Sequence, residues 1–289
     1  MVIFCAIIFL RMLVVFYIFA FIFGAVFGSF LCCQAWRLRL MQEKKASVGK
    51  RSVCLHCKKQ LKWYDNIPIL SWLVLRGKCR YCGKKIGVAE LLTEVLSGMA
   101  FLVLMYFFLE VCGGKALIEG GVVEGNILLW ASSLVLFLLS LVLIFLSIYD
   151  GKWGELPTIF LIIACVLGIA YWVVAGFAGG FSTEYLWHSL GALALLSGLY
   201  EILYLVSRGR WVGDGDAILC IPIALVLGNV WLALFALFIA NTLGCLYVLP
   251  TAVKKKGKRV QKIYFGPFLV VAFYIVLLFG GQILSLVKF

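Results

Sequence analysis

The chain has 289 residues, of which 64% are hydrophobic and only 13% are charged, about half the charged share of roughly 25% that soluble domains carry. A soluble fold of this size could not bury so much apolar surface, which excludes a soluble enzyme, a secreted disulfide scaffold and a disordered chain. The net charge of +13 does not indicate a nucleic-acid partner, because most of the 26 lysines and arginines lie in a few loops between apolar runs.

Apolar runs of about 20 residues, the length that crosses roughly 30 Å of hydrocarbon, recur along the chain. They predict an all-α polytopic membrane protein with about eight transmembrane helices, near residues 13–34, 89–111, 127–149, 156–178, 187–206, 213–228, 230–250 and 266–287. The sixth and seventh are separated only by a predicted turn at Gly228 and Asn229. With this turn as a hairpin tip, 23 lysines and arginines lie on one side and three on the other, and the positive-inside rule makes the first side the cytoplasm.

The first apolar run is longer than one membrane crossing requires. A helix over residues 3–34 would be about 48 Å long and would bury Arg11, which is costly in a membrane. A second methionine, Met12, begins a run that is sufficient by itself. We therefore assign the first span to residues 1–34 and treat residues 1–11 as a possible extension.

Four of the 11 cysteines form a pattern typical of a zinc site. Seven lie in or beside apolar spans and are assigned no role, whereas the other four form CLHC (Cys54, Cys57) and CRYC (Cys79, Cys82). Two such knuckles can direct four thiolates to one tetrahedral zinc ion. Two disulfides are the alternative, but a cytoplasmic loop keeps its thiols reduced. Because four sulfurs leave no open position, we predict a structural zinc in a cytoplasmic domain over residues 35–88.

Two carboxylates at span ends are candidates for catalysis. Asp150 closes the third predicted span, and Asp216 lies in the sequence WVGDGDAIL at the start of the sixth. The predicted topology places both at the same depth and on the same side, so they could meet. Two adjacent carboxylates share a proton, and one then acts as acid while the other acts as base, as in aspartyl proteases. The alternative is that both are ordinary helix-end acids, with Asp216 capping a helix.

Several separate motifs together resemble one known family. They are GSF at residues 28–30, the cysteine domain with YDNIPILSWLVLRGKC inside it, Glu94 with Gly98 and Phe101, Asp150 followed by Leu156-Pro157, GDGD at residues 213–216 and FGPFL at residues 265–269. This set is similar to the prepilin peptidases, or type IV leader peptidases, which are membrane aspartyl proteases of the GxGD type.

The resemblance implies a function and a location. Asp150 and Asp216 would be the catalytic pair of a protease domain over residues 89–289. The substrates would be type IV prepilins or secretion-system pseudopilins, cut after a glycine at the cytoplasmic face of the bacterial inner membrane. Many members then methylate the new N-terminus from S-adenosylmethionine. Membrane lipids would be partners of the basic loops, and no nucleic acid would bind.

Other functions remain open on the residues alone. A peptidase without methyltransferase activity is one, because no glycine-rich nucleotide loop follows a predicted strand. A carrier could also use paired intramembrane aspartates, although it would place them near the bilayer midplane. A non-enzymatic assembly factor would need the cysteines but not the aspartates.

Overall fold

The computed structural model describes residues 2–43, 52–54, 56–111, 127–210, 212–254 and 264–287, without the side chains of residues 2–10, 110–111 and 250–254. Most of the basic cluster at residues 254–262, which contributes to the predicted orientation, therefore lies outside the described residues. The described residues are almost entirely helical, with two isolated β-bridges in the cysteine domain.

The helices follow the predicted spans closely. They are α1 (Val2–Gln42), α2 (Leu70–Val74), α3 (Val88–Val111), α4 (Ile127–Trp153), α5 (Thr158–Gly179), α6 (Thr183–Leu193), α7 (Leu199–Ser207), α8 (Asp214–Leu227), α9 (Val230–Lys254) and α10 (Gly266–Val287). A short π-helix, Ala194–Gly198, joins α6 to α7. Within the described ranges, seven helical segments are long and apolar enough to cross a membrane. The predicted class, an all-α polytopic membrane protein, is confirmed.

The sixth predicted span is a helix at the expected place, but it is short. Its 14 residues extend for about 21 Å, less than a full membrane crossing. Gly228, at φ +57°, ends α8, and the Asn229 side chain accepts a hydrogen bond from Trp231 N–H at 2.9 Å, so the predicted turn is confirmed. Most of α8 is buried. Its apolar composition therefore reflects packing against protein, since other helices cover most of its residues.

The first helix is longer than the predicted span. α1 continues from Val2 to Gln42, whereas the predicted span ended at residue 34, and its apolar candidate span is Arg11–Gln42. Beyond residue 34, Arg39 Nε donates to Glu43 Oε1 at 2.7 Å, an ion pair at a four-residue spacing that supports the last helical turn.

The chain forms two compact units, Met1–Tyr106 and Phe107–Phe289. In the first unit, α1 and α3 approach closely through small residues. A Cβ added at Gly28 would lie 2.6 Å from Ser97 Oγ, and one at Gly24 would lie 2.6 Å from the Ser97 carbonyl oxygen. Small residues that let helix backbones approach are typical of helix pairs in membranes.

In the second unit, α8 is the central helix. It packs against five others, which are α5, α6, α7, α9 and α10. The contact with α5 needs a glycine, because a Cβ at Gly168 would lie 2.7 Å from Pro222 Cα in α8. Pro222 lacks an N–H group and lies inside this buried helix. Such packing fixes the start of α8, and with it residues 213–216.

Candidate active site and metal centre

Asp150 lies in the last turn of α4 and is 5% exposed. Its Oδ2 accepts a hydrogen bond from the backbone N–H of Gly266 at 2.9 Å. Gly266 is the first residue of α10, so the carboxylate accepts from the first N–H group of this helix and lies at the positive end of its dipole. The start of α10 therefore fixes one oxygen of Asp150.

The segment that leads into α10 packs against the end of α4, and these contacts are made at two glycines. A Cβ at Gly266 would lie 2.8 Å from Asp150 Oδ2. Gly154, which ends the turn after α4 at φ +67°, faces the ring of Tyr264, where a Cβ would clash. Only glycine adopts such a φ without strain. The sequence had singled out FGPFL as a motif, and the structure adds that its glycine contacts Asp150.

Asp216 is the third residue of α8, after the N-cap Gly213, and is 9% exposed. Its backbone N–H donates to the Gly213 carbonyl at 3.2 Å. The other acid of the GDGD motif, Asp214, is exposed, and its Oδ1 accepts from Gly215 N–H at 2.9 Å. The motif therefore presents one buried carboxylate, that of Asp216, at the positive end of a helix.

Two of the sequence motifs contact each other directly. A Cβ at Gly215 would lie 2.8 Å from Leu156 Cδ1 and 3.2 Å from Leu156 Cβ. Leu156 belongs to the Leu-Pro pair that follows Asp150, and Gly215 precedes Asp216. Since a methyl group cannot fit between them, the glycine lets the two motifs approach.

The two predicted aspartates are brought together. Asp150 and Asp216 are both buried in the second unit, and they are close enough for their charges to interact. Two interacting carboxylates in a desolvated site do not ionise together easily, so one can be protonated while the other is charged. The arrangement can therefore offer an acid and a base at one place.

The four predicted cysteines also come together, in the first unit. The Sγ atoms of Cys54, Cys57, Cys79 and Cys82 all lie within 4.8 Å of one another, and those of Cys54 and Cys82 are 4.0 Å apart. A tetrahedral zinc with bonds of about 2.3 Å would place its sulfurs about 3.8 Å apart. The cluster could therefore hold a metal ion after only small movements of its side chains.

The two knuckles have the same backbone design. Lys58 N–H donates to the Cys54 carbonyl at 2.9 Å, and Gly83 N–H donates to the Cys79 carbonyl at 2.9 Å. Lys58 and Gly83 both follow the second cysteine of their knuckle and both have positive φ, at 57° and 67°. This shared turn aims both sulfurs of each knuckle at one point.

Side chains connect the second knuckle to the residues that follow the first. Arg80 Nε donates to Asp65 Oδ1 at 2.8 Å, and this hydrogen bond raises the pKa of the Arg80 guanidinium. The same guanidinium lies 5.0 Å from the ring centre of Tyr64, and Lys59 Nζ lies 5.0 Å from that of Tyr81. Cation–π and ionic contacts therefore hold the basic domain around its sulfur cluster.

One acid whose role the sequence did not identify connects this domain to a membrane helix. Glu94 of α3 accepts a hydrogen bond at Oε2 from Ile69 N–H at 2.7 Å. Ile69 has φ +61°, a conformation that is rare and strained for a β-branched residue. Glu94 stands out in the sequence as an acid inside an apolar span. Its partner is a backbone N–H group, which the sequence does not reveal.

Comparison with known proteins identifies relatives. Residues 22–108 match the family model for the Bacterial Peptidase A24 N-terminal domain. Over 86 residues the chain is 45% identical to a prepilin leader peptidase/N-methyltransferase of Myxococcus xanthus, a match that covers 30% of this chain and 25% of that protein. No solved structure matches.

Longer matches cover most of both chains. A prepilin leader peptidase/N-methyltransferase of Klebsiella pneumoniae is 31% identical over 214 residues, which are 68% of this chain and 84% of that protein. One from Dichelobacter nodosus is 27% identical over 287 residues, which are 91% of each chain. On this coverage and identity, the chain belongs to the prepilin leader peptidase/N-methyltransferase family.

Proposed function

We propose that this protein is an aspartyl endopeptidase of the bacterial inner membrane. It removes the leader peptide of type IV prepilins or pseudopilins by cutting after a glycine at the cytoplasmic face, and Asp150 and Asp216 are its catalytic pair. One observation supports this most strongly. Two motifs that are far apart in sequence bring two buried carboxylates within electrostatic reach of each other.

The proposed chemistry uses one protonated and one ionised aspartate. One aspartate takes a proton from a water molecule, which attacks the scissile carbonyl, while the other aspartate donates its proton to the carbonyl oxygen. The resulting gem-diol collapses, and the leaving amine takes up a proton. Gly266 N–H holds one oxygen of Asp150, which leaves its other oxygen for water or substrate.

The glycines beside Asp216 leave room for a peptide. Gly213 is exposed, and a Cβ there would lie 3.7 Å from Asp216 Oδ2. A substrate backbone can approach this side without meeting a side chain. Both aspartates are buried, so little bulk water reaches the pair, which strengthens its electrostatic interactions.

The metal in the cysteine domain is zinc, held by Cys54, Cys57, Cys79 and Cys82, and its role is structural. Four thiolate ligands complete its tetrahedral shell. Bound zinc would therefore crosslink the two knuckles and take no part in peptide cleavage. The domain faces the cytoplasm, where its lysines and arginines meet anionic lipid headgroups.

Methylation of the new N-terminus from S-adenosylmethionine is the second activity, and it is supported by the names of the relatives. Among the residues that the structure describes there is no β-strand, and so no glycine-rich strand-to-helix turn of the kind that binds nucleotides. We therefore assign no residues to the methyl donor.

The proposal is tested by co-expressing a prepilin with the wild type, Asp150→Asn or Asp216→Asn and reading the prepilin mass. We expect the wild type to cut after a glycine and both variants to leave the precursor intact, since each lacks an ionisable group. An additional methyl mass on the product demonstrates the second activity. Cleavage by both variants at the wild-type level would refute the catalytic pair and favour a carrier or an assembly factor.

A further inference from the structure

A buried tyrosine lies beside the aspartate pair. Tyr200 of α7 is 3% exposed. Among the described residues, no atom is in hydrogen-bonding geometry to its hydroxyl, which has no contact with solvent. The hydroxyl interacts electrostatically with two groups of α8, first with the Cys220 thiol and then with the Asp216 carboxylate. A buried hydroxyl without a partner destabilises a fold, so its presence next to a candidate catalytic group calls for an explanation.

The residues around Tyr200 connect it to the Asp150 site. Its ring packs against Phe265, with 5.6 Å between ring centres. Phe265 directly precedes Gly266, which donates to Asp150. The segment before α10 therefore contacts Asp150 through its glycine and the Tyr200 ring through its phenylalanine.

An irregular turn sets the direction of Tyr200. The π-helix Ala194–Gly198 ends two residues before it. Such a turn contains one residue more than an α-helical turn, so it rotates the residues that follow, and it is frequent at functional sites. Within it, Ser197 Oγ donates to the Ala217 carbonyl at 2.9 Å. Since Ala217 follows Asp216, this bond fixes the π-helix against the start of α8.

A neighbouring amide, that of Asn241 of α9, is close enough to interact with the hydroxyl but is not in hydrogen-bonding geometry to it. Asn241 Nδ2 donates instead to the Leu237 carbonyl at 2.8 Å. Because no acceptor among the described residues is in hydrogen-bonding geometry to the Tyr200 hydroxyl, its proton can be given to another acceptor.

We propose that Tyr200 is a positioning residue for Asp216, whose carboxylate accepts a hydrogen bond from the Tyr200 hydroxyl once the peptide substrate is bound. This inference depends on the proposed function, since it assumes that Asp216 is catalytic. Asp150 is already held by Gly266 N–H. Tyr200 does the same for Asp216 by selecting one rotamer of its carboxylate. No proton leaves the tyrosine in this role.

The test is the variant Tyr200→Phe, which removes the hydroxyl and keeps the ring on Phe265. The matched control is Tyr274→Phe, because Tyr274 is also buried, at 7% exposed, and its hydroxyl also has no hydrogen-bond partner among the described residues. Tyr274 lies eight residues after Gly266, about 12 Å along α10. Both variants are purified as full chains, and kcat, KM and Tm are measured with a prepilin substrate.

We expect Tyr200→Phe to lower kcat by about tenfold to a hundredfold, the range for a hydrogen bond to a charged group, with KM unchanged. Tyr274→Phe should retain the wild-type kcat and KM. Equal losses of kcat and Tm in both variants would mean that buried hydroxyls only stabilise the fold, which would overturn the inference. A raised KM with unchanged kcat would overturn it as well, since the hydroxyl would then bind substrate.

Comparison with Asp216→Asn separates this inference from the proposed function. A wild-type kcat for Tyr200→Phe together with loss of cleavage in Asp216→Asn would refute the positioning role alone. Cleavage by Asp216→Asn at the wild-type rate would refute the catalytic pair, and the role of Tyr200 with it.

Discussion

The cysteine cluster and the aspartate pair are assembled by opposite routes. All four cysteines lie within residues 54–82, on two short turns of the same design. The aspartate site instead joins the end of α4, the start of α8 and the start of α10, which are far apart in sequence. A local site can be recognised from its spacing, whereas a distributed site depends on how helices approach, and here glycines control that approach.

The largest effect on cleavage among the glycine variants is expected from Gly266→Ala. Its Cβ would lie 2.8 Å from Asp150 Oδ2 and 3.3 Å from Asp150 Cβ, so the carboxylate must move. A displacement of about 1 Å at a reacting group can reduce a rate by about a hundredfold, and we expect that loss in kcat for a prepilin substrate.

The matched control is Gly281→Ala in the same helix, where an added Cβ meets open space. This variant should cleave like the wild type and should be slightly more stable, by about 0.5–1 kcal/mol, because alanine favours helix. Similar cleavage by both variants would show that the contact between Gly266 and Asp150 does not matter for the site.

A smaller loss is expected from Gly215→Ala, because the methyl group would meet a flexible side chain. The Cβ would lie 2.8 Å from Leu156 Cδ1, and leucine can adopt another rotamer at some cost. We expect kcat to fall by about tenfold.

The double variant Gly215→Ala with Leu156→Ala tests the cause. Removing most of the leucine side chain relieves the overlap, so the double variant should recover part of the activity that Gly215→Ala loses. A double variant that is slower than both single variants would contradict direct packing between the two motifs.

The cysteine cluster should respond differently, because its closed ligand set contains no reacting group. Cys54→Ser should lose bound zinc, measured by elemental analysis, while cleavage falls by only roughly threefold. Cys33→Ser, a change in α1 outside the cluster, should keep both zinc and activity. Loss of all cleavage in Cys54→Ser with an unchanged Tm would contradict the structural role of the metal.

The smallest effect on cleavage is expected from Glu94→Ala. The variant leaves Ile69 N–H without its acceptor and removes support for a strained backbone. The lost hydrogen bond destabilises this contact by about 1.5–3 kcal/mol, so hydrogen exchange at Ile69 should accelerate while cleavage changes by roughly twofold. Glu94→Gln keeps an acceptor oxygen and should exchange more slowly than Glu94→Ala; equal exchange in both would contradict the contact.

The sequence predicted most of the fold because apolar length and charge are strong signals. α8 lies within one residue of the predicted sixth span at each end, but neighbouring helices cover much of its apolar surface, and hydropathy alone cannot separate a core helix from a membrane span. α1 is long because helical structure continues past the apolar run to Gln42.

For the candidate site, the sequence identified residue types but not contacts. Asp150, Asp216 and the four cysteines stood out because acids at span ends and paired CxxC knuckles are rare without a role. The contacts of Gly266 with Asp150 and of Gly215 with Leu156 depend on helix packing. The π-helix before Tyr200 depends on a local rearrangement of backbone hydrogen bonds, and no residue pattern in the sequence indicates it.

The most direct test of the catalytic pair compares Asp150→Asn, Asp216→Asn and Asp214→Asn as purified full chains. Asp214 belongs to the same GDGD motif but is exposed, which makes it a matched control. Zinc content and Tm verify folding, and the cleavage rate of one prepilin substrate is measured for each. We predict background rates for Asp150→Asn and Asp216→Asn and a nearly wild-type rate for Asp214→Asn; a wild-type rate for either of the first two would contradict the account.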